Sequence, residues 1–265
     1  MRVLDLTQPM KEGIPVYPGD PLFRIRNAAD HETDGYRVSA LSFGSHTGTH
    51  LDAPAHFFED GETLSQFPLQ TFLANAAVVD LTPRLNDFCY GKLPPLILPE
   101  LLEPFLSVFQ KAESVILKTG WSGKFKDIDF YDAFPSLLPE SADWISEQPI
   151  RILGLETPSL SSLADFDPDD GPIPESKRRE LQIDATLFFH SDAEAHRILL
   201  GRTPPLFLLE NLVCPNELPS ITPEDLSRNW EKKLFQLFAF PLSIENAEAS
   251  PIRAAAIFNS EPIKS

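Results

Sequence analysis

Short apolar runs, each bounded by charges or by helix-breaking residues, recur along the chain and predict buried β-strands. They occupy residues 76–81, 114–118, 150–155, 206–209 and 234–240. The last run fits strict alternation poorly, because Phe235, Phe238 and Phe240 do not share one parity.

Helical spacing is less frequent and predicts three helices. Residues 99–111 carry leucines and phenylalanines at helical intervals. Residues 191–200 begin with the capping residue Ser191 and have a glutamate three positions later. A third, short helix begins at Thr222, which is followed by a proline at the first helical position. The chain also holds 26 prolines, so we expect a mixed α/β protein built from many short elements.

The segment 164–177 differs from the rest of the chain because it is acidic and rich in proline and glycine. Its aspartates lack the spacing of a calcium loop and the closing glutamate. We therefore expect a surface loop or insertion here. With this exception, residues 1–265 are expected to form a single domain.

The charge balance is strongly acidic, with 39 Asp and Glu against 22 Lys and Arg. Such a surface disfavours nucleic acid and anionic membranes as partners. No apolar run is long enough to span a bilayer, and the N-terminus does not resemble a signal peptide. Cys89 and Cys214 form no Cys-x-x-Cys pair, and we expect both to be reduced and buried. These features together predict a soluble, cytoplasmic protein.

Three of the six histidines lie within eleven residues, at His46, His50 and His56, with Asp52 between them. In a helix, Asp52 would point away from His46 and His50. In a straight strand, positions 46 and 52 would be ~20 Å apart at ~3.3 Å per residue, which is too far for one shared site. A site formed by these side chains therefore requires the backbone to curl.

The residues between the histidines permit such a curl. Gly48 can adopt dihedral angles that other residues avoid, and Pro54 imposes a bend. Two imidazoles and a carboxylate on a curled segment suit a first-row divalent ion, either Zn²⁺ or Mn²⁺. The competing interpretation is that these are ordinary histidines on a surface turn.

The second half of the chain offers two further candidate ligands. His196 lies on the predicted helix 191–200, and Glu210 directly follows the predicted strand 206–209. A carboxylate at the end of a buried strand is costly unless it is paired or bound to a metal. A salt bridge and a metal ligand are both open for Glu210.

The segment His46-Thr-Gly-Thr-His-Leu-Asp-Ala-Pro-Ala-His56 resembles the signature His-x-Gly-Thr-His-x-Asp-x-Pro-x-His of the cyclase family of metal-dependent hydrolases. This family includes bacterial kynurenine formamidases and isatin hydrolases. Weaker similarity extends over nearly the whole chain, for example at Lys118-Thr-Gly-Trp121 and Glu210-Asn-Leu212.

The resemblance implies a fold of the swivelling β/β/α type, in which a mixed sheet or barrel-like core carries outer helices. It also implies a homodimer and one or two divalent ions. A first ion would be held by His46, His50 and Asp52. A second would be held by Asp52, Glu210 and His196. His56 would act as the general acid and base, and Tyr17 takes the place of a tryptophan that lines the substrate pocket.

The implied reaction is hydrolysis of a C–N bond in a small aryl formamide or cyclic amide by activated water. Two alternatives remain open: hydrolysis of a lactone or imide on the same scaffold, and a non-catalytic protein that binds a small molecule with a structural metal. Two departures from the family pattern concern the pocket, namely Tyr17 and the stretch from Glu156 to Ser161 that replaces Asp-x-x-Ser-x-Asp.

Overall fold

The computed structural model describes residues 1–89, 94–127, 130–131, 133–162 and 191–258. For Ser191 and Asp192 only the backbone is described, so the predicted capping by Ser191 lies outside the described residues. The acidic segment 164–177, expected to be a surface loop, also lies outside them.

Thirteen strands and five α-helices are found within these ranges, joined by several 3₁₀ turns. The strands are β1 (Arg2–Asp5), β2 (Arg24–Ala29), β3 (Val38–Ser42), β4 (His50–Asp52), β5 (Leu73–Asp80), β6 (Leu96–Ile97), β7 (Ser114–Lys118), β8 (Ser136–Leu137), β9 (Ile152–Leu155), β10 (Phe207–Glu210), β11 (Phe235–Phe238), β12 (Ala249–Pro251) and β13 (Ala255–Phe258). The helices are α1 (Thr82–Leu85), α2 (Pro99–Leu102), α3 (Leu106–Lys111), α4 (Pro139–Ser146) and α5 (Ser191–Leu200).

Nine of the strands form one mixed sheet in the order β1-β13-β11-β5-β7-β9-β10-β4-β12. The central strands β5, β7, β9 and β10 are parallel, and the strands on either side pair antiparallel. Four of the five predicted strand runs form these parallel strands. Their continuous apolar sequences follow from burial on both faces: in β5, Ala76 and Val78 face one hydrophobic cluster while Ala77 and Val79 face the other.

The sheet is curled into a half-barrel. Strands β12 and β13 lie seven positions apart in the strand order, which would be ~33 Å in a flat sheet. Only three residues connect them, and the span from Pro251 to Ala255 cannot exceed ~14 Å. Leu6 closes the curl, because its amide donates to the Ala254 carbonyl and its carbonyl accepts from the Val213 amide. Side chains from β4, β5, β7, β9, β10, β11 and β13 meet in one cluster on the concave face.

The helices pack on the convex face, as the resemblance implied. The predicted helix 99–111 is interrupted, because a 3₁₀ turn at Glu103–Phe105 separates α2 from α3. Pro104 lies in this turn and cannot donate the hydrogen bond that a continuous helix needs. The helix 191–200 is confirmed as α5. Thr222 does cap a helical turn, but the turn at Pro223–Ser227 is 3₁₀ and not α-helical.

The expectation that both cysteines are buried is wrong for Cys89, which is exposed, whereas Cys214 is partly buried. Both are free thiols. Burial raises the pKa of the Cys214 thiol well above its ordinary value. None of the helices in the described ranges has both the length and the apolar character required to cross a bilayer.

Asp80 joins three parts of the fold at the end of β5. Its carboxylate accepts hydrogen bonds from Lys118 Nζ at 2.8 Å, Thr82 Oγ1 at 2.6 Å and Ser220 Oγ at 3.0 Å. Burial alone would raise the pKa of Asp80, but these hydrogen bonds, led by that from Lys118, lower it below 3.8. The ionised carboxylate therefore stabilises the junction between β5, β7 and the segment that precedes Thr222.

We predict that Asp80→Asn lowers the free energy of unfolding by about 1–3 kcal/mol at pH 7, because it leaves charged and polar donors without their acceptor. A lowered carboxyl pKa gives stability above the unfolded-state value of 3.8, which is lost as the pH falls below it. The difference in the free energy of unfolding between wild type and Asp80→Asn should therefore become smaller below pH 3.8. Urea unfolding of metal-free protein, at pH 7 and again below pH 3.8, measures this difference.

The matched control is Asp87→Asn, because Asp87 is 66% exposed and its ion pair with Arg84 is long, at 3.8 Å. Its effect should stay within about 0.5 kcal/mol at either pH. Equal effects of the two substitutions would show that the Asp80 junction does not stabilise the fold.

Candidate metal centre

The histidine-rich segment curls as its sequence predicts. Gly48 has a φ of +68°, followed by the short strand β4 and a 3₁₀ turn at Pro54–His56. The curl brings the ring centroids of His46 and His50 to 5.0 Å and those of His46 and His56 to 4.1 Å. The three imidazoles therefore lie in one cluster, and the burial of His50 argues against ordinary histidines on a surface turn.

Strand pairing places the acidic residues beside these imidazoles. In the antiparallel pair of β4 and β10, Glu210 lies opposite His50 and Leu208 lies opposite Asp52. Leu51 and Leu209 point to the concave cluster, so His50, Asp52 and Glu210 share the convex, helix-covered face. Helix α5 contributes His196, whose Nε2 lies 3.5 Å from Glu210 Oε1.

The orientation of His50 is set by a hydrogen bond to its own backbone. Its Nδ1 lies 2.9 Å from the Gly48 carbonyl oxygen. A carbonyl can only accept, so Nδ1 carries a hydrogen and Nε2 is the nitrogen turned toward the acidic side chains. This Nε2 lies 3.4 Å from both Asp52 Oδ1 and Glu210 Oε2. Two buried carboxylates thus meet at one imidazole nitrogen, which is unfavourable unless positive charge lies among them.

The candidate ligand atoms are also buried, as the ligand atoms of a metal site usually are. Within the described part of the chain, no hydrogen-bond partner is found for His50 Nε2, either Asp52 carboxylate oxygen or Glu210 Oε1, although all are buried. Ion pairs of Glu210 in these ranges involve histidines alone. This favours the ligand interpretation of Glu210 over a salt bridge. The oxygen and nitrogen donors fit a divalent ion such as Zn²⁺ or Mn²⁺.

Two groups of ligand atoms overlap at Asp52. One comprises His46, Asp52 and His56, the other His50, Asp52 and Glu210, with all ligand atoms of each group within 4.8 Å of one another. A shared carboxylate of this kind can bridge two ions. His56, predicted to act as an acid and base, is therefore also close enough to His46 and Asp52 to bind an ion with them.

The pKa values of His46 and His56 are shifted in opposite directions. Burial lowers the pKa of His46, but attraction to Asp52 outweighs it and raises the pKa to about 10. Burial lowers the pKa of His56 to about 4. Burial would raise the pKa of Asp52, yet His46 and His50 hold it well below its ordinary value. The cluster therefore attracts positive charge near Asp52, while His56 stays neutral at neutral pH.

The sequence did not indicate Glu248, which precedes β12 at the edge of the sheet. Its Oε1 accepts a hydrogen bond of 2.5 Å from Ser45 Oγ and lies 3.6 Å from His46 Nε2. The hydrogen bond with His46 lowers the pKa of Glu248 to about 2. A carboxylate behind a metal-binding histidine fixes its ring and its tautomer. Glu248 is 203 positions from Ser45 in the sequence, and no local motif marks it.

Tyr17, predicted to line the pocket, lies beside the cluster and not within it. It is 39% exposed, and its ring makes an edge-on contact with Tyr131 at 5.8 Å. The Tyr131 phenol is in turn close enough to Glu210 for that carboxylate to raise its pKa, after the larger effect of burial. No local motif marks Tyr131 in the sequence.

The departure at Glu156 has a structural explanation. Its carboxylate is buried and accepts hydrogen bonds from the Thr119 amide at 2.7 Å, the Gly120 amide at 2.6 Å and Ser122 Oγ at 2.5 Å. Burial raises the pKa of Glu156 despite these donors. Glu156 thus anchors the loop that follows β7.

Comparison with known proteins supports the resemblance. The Cyclase family model matches residues 4–162. The chain is 29% identical over 252 residues to a kynurenine formamidase of Bacillus mycoides strain KBAB4, with 95% of each chain covered. It is also 29% identical over 252 residues to a kynurenine formamidase of Bacillus anthracis, again with 95% of each chain covered.

Solved structures support the fold. Isatin hydrolase A from Labrenzia aggregata, bound to benzyl benzoate, superposes with a TM-score of 0.71 at 22% identity, covering 96% of this chain and 93% of that one. Isatin hydrolase A from Ralstonia solanacearum gives a TM-score of 0.70 at 22% identity, covering 96% and 91%.

We predict that untagged wild-type protein carries one or two equivalents of zinc or manganese and that His50→Ala loses most of this metal. The substitution removes the one nitrogen that faces both Asp52 and Glu210. Elemental analysis of both proteins measures the content. The matched control is His31→Ala, because His31 is exposed and outside the cluster. Equal metal content in wild type and His50→Ala would contradict the assignment.

Proposed function

Because this chain belongs to the Cyclase family, we propose that it is a metal-dependent amidohydrolase that cleaves the C–N bond of a small aryl formamide or cyclic amide. Similarity to kynurenine formamidases over 95% of both chains supports the reaction class. The observation that carries the proposal is the buried group of His50, Asp52 and Glu210. In it, His50 Nε2 lies 3.4 Å from an oxygen of each carboxylate, and several of the candidate ligand atoms have no hydrogen-bond partner within the described residues.

The proposed ligands divide into two sets. His46, His50 and Asp52 would hold a first ion, and Asp52, Glu210 and His196 would hold a second. A divalent ion, Zn²⁺ or Mn²⁺, supplies Lewis-acid polarisation of a carbonyl group and lowers the pKa of a water molecule to ~7. Glu248 would keep the His46 ring oriented through the approach of its carboxylate to Nε2.

His56 is the proposed acid and base. Its low pKa keeps the imidazole neutral at neutral pH, so a ring nitrogen is free to accept the proton of the attacking water. The same nitrogen then returns the proton to the departing amine nitrogen. The 3₁₀ turn that carries His56 packs tightly against Gly61, where an added Cβ would lie 2.6 Å from the Ala55 nitrogen. The half-buried ring is therefore held in place.

The aromatic pair of Tyr17 and Tyr131 is the proposed wall for an aryl group. The two rings meet edge-on at 5.8 Å, and Tyr131 lies beside Glu210. Aromatic rings favour such offset or edge contacts with a bound ring. This arrangement supports an aryl amide over an aliphatic one as the substrate.

We predict that His56→Ala lowers kcat for an aryl formamide by about 10²–10⁴-fold, because the proton transfer loses its base and acid. Metal content should remain at the wild-type level. Steady-state kinetics beside elemental analysis measure both quantities, with His31→Ala as the control. Loss of metal from His56→Ala would instead assign His56 as a ligand.

A substrate panel separates this function from its alternatives. Metal-loaded wild type is assayed with aryl formamides, lactams, cyclic imides and lactones. Turnover of lactones or imides alone would assign the alternative hydrolase activity. Binding without turnover of any compound, unaffected by His56→Ala, would assign a non-catalytic binding protein.

We also propose a homodimer in which a second copy covers the hairpin of β2 and β3. Within the described residues these two strands pair solely with each other, and an isolated hairpin is only marginally stable in water. Ile25 and Leu41 lie directly opposite each other and are 45% and 57% exposed. A groove of about 710 Å³ beside them is lined by Leu41, Phe43 and Leu242, among others.

We predict that light scattering after size exclusion gives the mass of a dimer for wild type and a shift toward monomer for Leu41→Glu. A charge at this position would be buried without a partner in the dimer. Leu69→Glu is the matched control, since Leu69 is 56% exposed and lies outside the hairpin. A monomeric wild type would exclude the dimer.

Two further expectations stay predictions. We propose that residues 1–265 form one domain, which the pairing of β1 with β13 supports. The cytoplasmic location is proposed from the sequence, and cell fractionation tests it.

A further inference from the structure

The side chain of Phe57 packs face to face against the ring of His196, one of the proposed metal ligands. The two rings are stacked, with their centroids 4.7 Å apart and their planes 21° from parallel. Phe57 follows the 3₁₀ turn at Pro54–His56, whereas His196 lies on helix α5. Aromatic rings attract one another at centroid separations of ~4.5–7 Å. The stacked phenyl ring therefore restricts rotation of the His196 imidazole, because rotation would push the imidazole edge into the phenyl face.

The Phe57 ring is itself held by its surroundings. The His56 ring meets it edge-on, with centroids 4.5 Å apart and planes at 80°. The guanidinium carbon of Arg197 lies 5.5 Å from the Phe57 centroid, which is within cation–π range. The Phe57 amide donates to the Pro54 carbonyl at 3.1 Å, so the backbone is fixed as well. Phe57 can thus act as a fixed surface for the His196 ring.

A second contact brings helix α5 close to the same turn. Gly201 follows α5, and a Cβ added at Gly201 would lie 2.8 Å from Phe58 Cζ and 2.6 Å from the Arg197 carbonyl oxygen. No side chain fits at this position without displacing one of these groups. The turn and the helix are therefore in contact at two points, and these contacts set how closely His196 approaches the carboxylates on β4 and β10.

The orientation of the His196 ring matters for metal binding. The residue is 2% exposed, and its Nε2 lies 3.5 Å from Glu210 Oε1. The lone pair of an imidazole nitrogen lies in the ring plane, so rotation of the ring would turn the lone pair away from an ion near Glu210. Neighbouring groups that fix the plane of a metal-binding histidine raise its affinity for the metal.

We propose that Phe57 is a positioning residue that fixes the plane of the His196 ring and so keeps Nε2 directed at the ion that His196 and Glu210 would share. The proposal rests on the proposed function, in which His196 is a ligand of the second ion. It assigns a role in metal affinity to an apolar side chain that cannot itself bind a metal.

The test uses metal-loaded, full-length protein, from which a chelator at increasing concentration removes the ions before elemental analysis. The ion in question is the one that His196→Ala releases more readily than wild type does. Phe57→Leu removes the stacked ring but keeps an apolar side chain, and it should release this ion at a chelator concentration at least tenfold lower than wild type. Phe57→Tyr keeps the ring and should stay within about twofold of wild type. Release from Phe57→Leu at the wild-type concentration would overturn the proposal.

The matched control is Phe67→Leu. Phe67 is also partly buried and also meets another ring, that of Phe207 at 4.8 Å, but it packs against the concave cluster. It should release metal at the wild-type chelator concentration, and circular dichroism confirms that each variant is folded. If Phe57→Leu does not fold, Phe57→Met takes its place with the same expectation. Equal effects at positions 57 and 67 would indicate general destabilisation and would overturn the proposal.

A double variant tests whether Phe57 acts through His196. Phe57→Leu/His196→Ala should release its metal at the same chelator concentration as His196→Ala alone, because the phenyl ring then has no imidazole to position. An additional loss of affinity in the double variant would contradict the positioning role.

Chelator competition requires no turnover, so it separates this proposal from the proposed function. A tenfold shift in Phe57→Leu supports the positioning role even if wild type hydrolyses no amide, which would refute the amidohydrolase activity alone. Metal release from His196→Ala at the wild-type concentration refutes the positioning role even if wild type is an active amidohydrolase.

Discussion

The site depends on one constraint: His50 directs its Nε2 at two buried carboxylates. Its Nδ1 lies 2.9 Å from the Gly48 carbonyl oxygen, and its Nε2 lies 3.4 Å from both Asp52 Oδ1 and Glu210 Oε2. Two buried carboxylates this close to one another require positive charge beside them. A divalent cation would supply this charge and would ligate the buried atoms that have no hydrogen-bond partner within the described residues.

The curled sheet is what places the two buried carboxylates beside His50. Antiparallel pairing of β4 with β10 fixes His50 opposite Glu210, and the period of two along each strand sends the intervening leucines to the concave core. Helix α5 then covers the same face and adds His196. A one-residue shift in this register would exchange ligands and leucines, so the packing of the core also specifies the metal site.

Around the ligands, longer-range contacts fix the orientation of each group. Glu248, which precedes the edge strand β12, approaches His46 and accepts a hydrogen bond from Ser45 with the same carboxylate oxygen. Glu156 illustrates a different use of a buried acid, because its carboxylate is saturated by donors from the loop after β7. Glu156 therefore differs from Asp52 and Glu210 in the hydrogen-bond donors that the described residues supply to its carboxylate.

Local features of the sequence allowed the strands, α5 and the histidine curl to be predicted, because apolar periodicity and the dihedral limits of Gly48 and Pro54 act within a few residues. The same reasoning missed the break at Pro104, although a proline inside a helix is itself a local signal, and the exposure of Cys89, which depends on neighbours distant in sequence.

The residue types at 46–56, 196 and 210 indicate the candidate ligands and the need for a curled segment without reference to the fold. Within the described residues, it is the fold that sets Glu210 against histidines and not against a lysine or arginine, and that brings Glu248 to His46. This division arises because chain geometry links residues a few positions apart, whereas strand pairing and sheet closure bring together residues from opposite ends of the sequence.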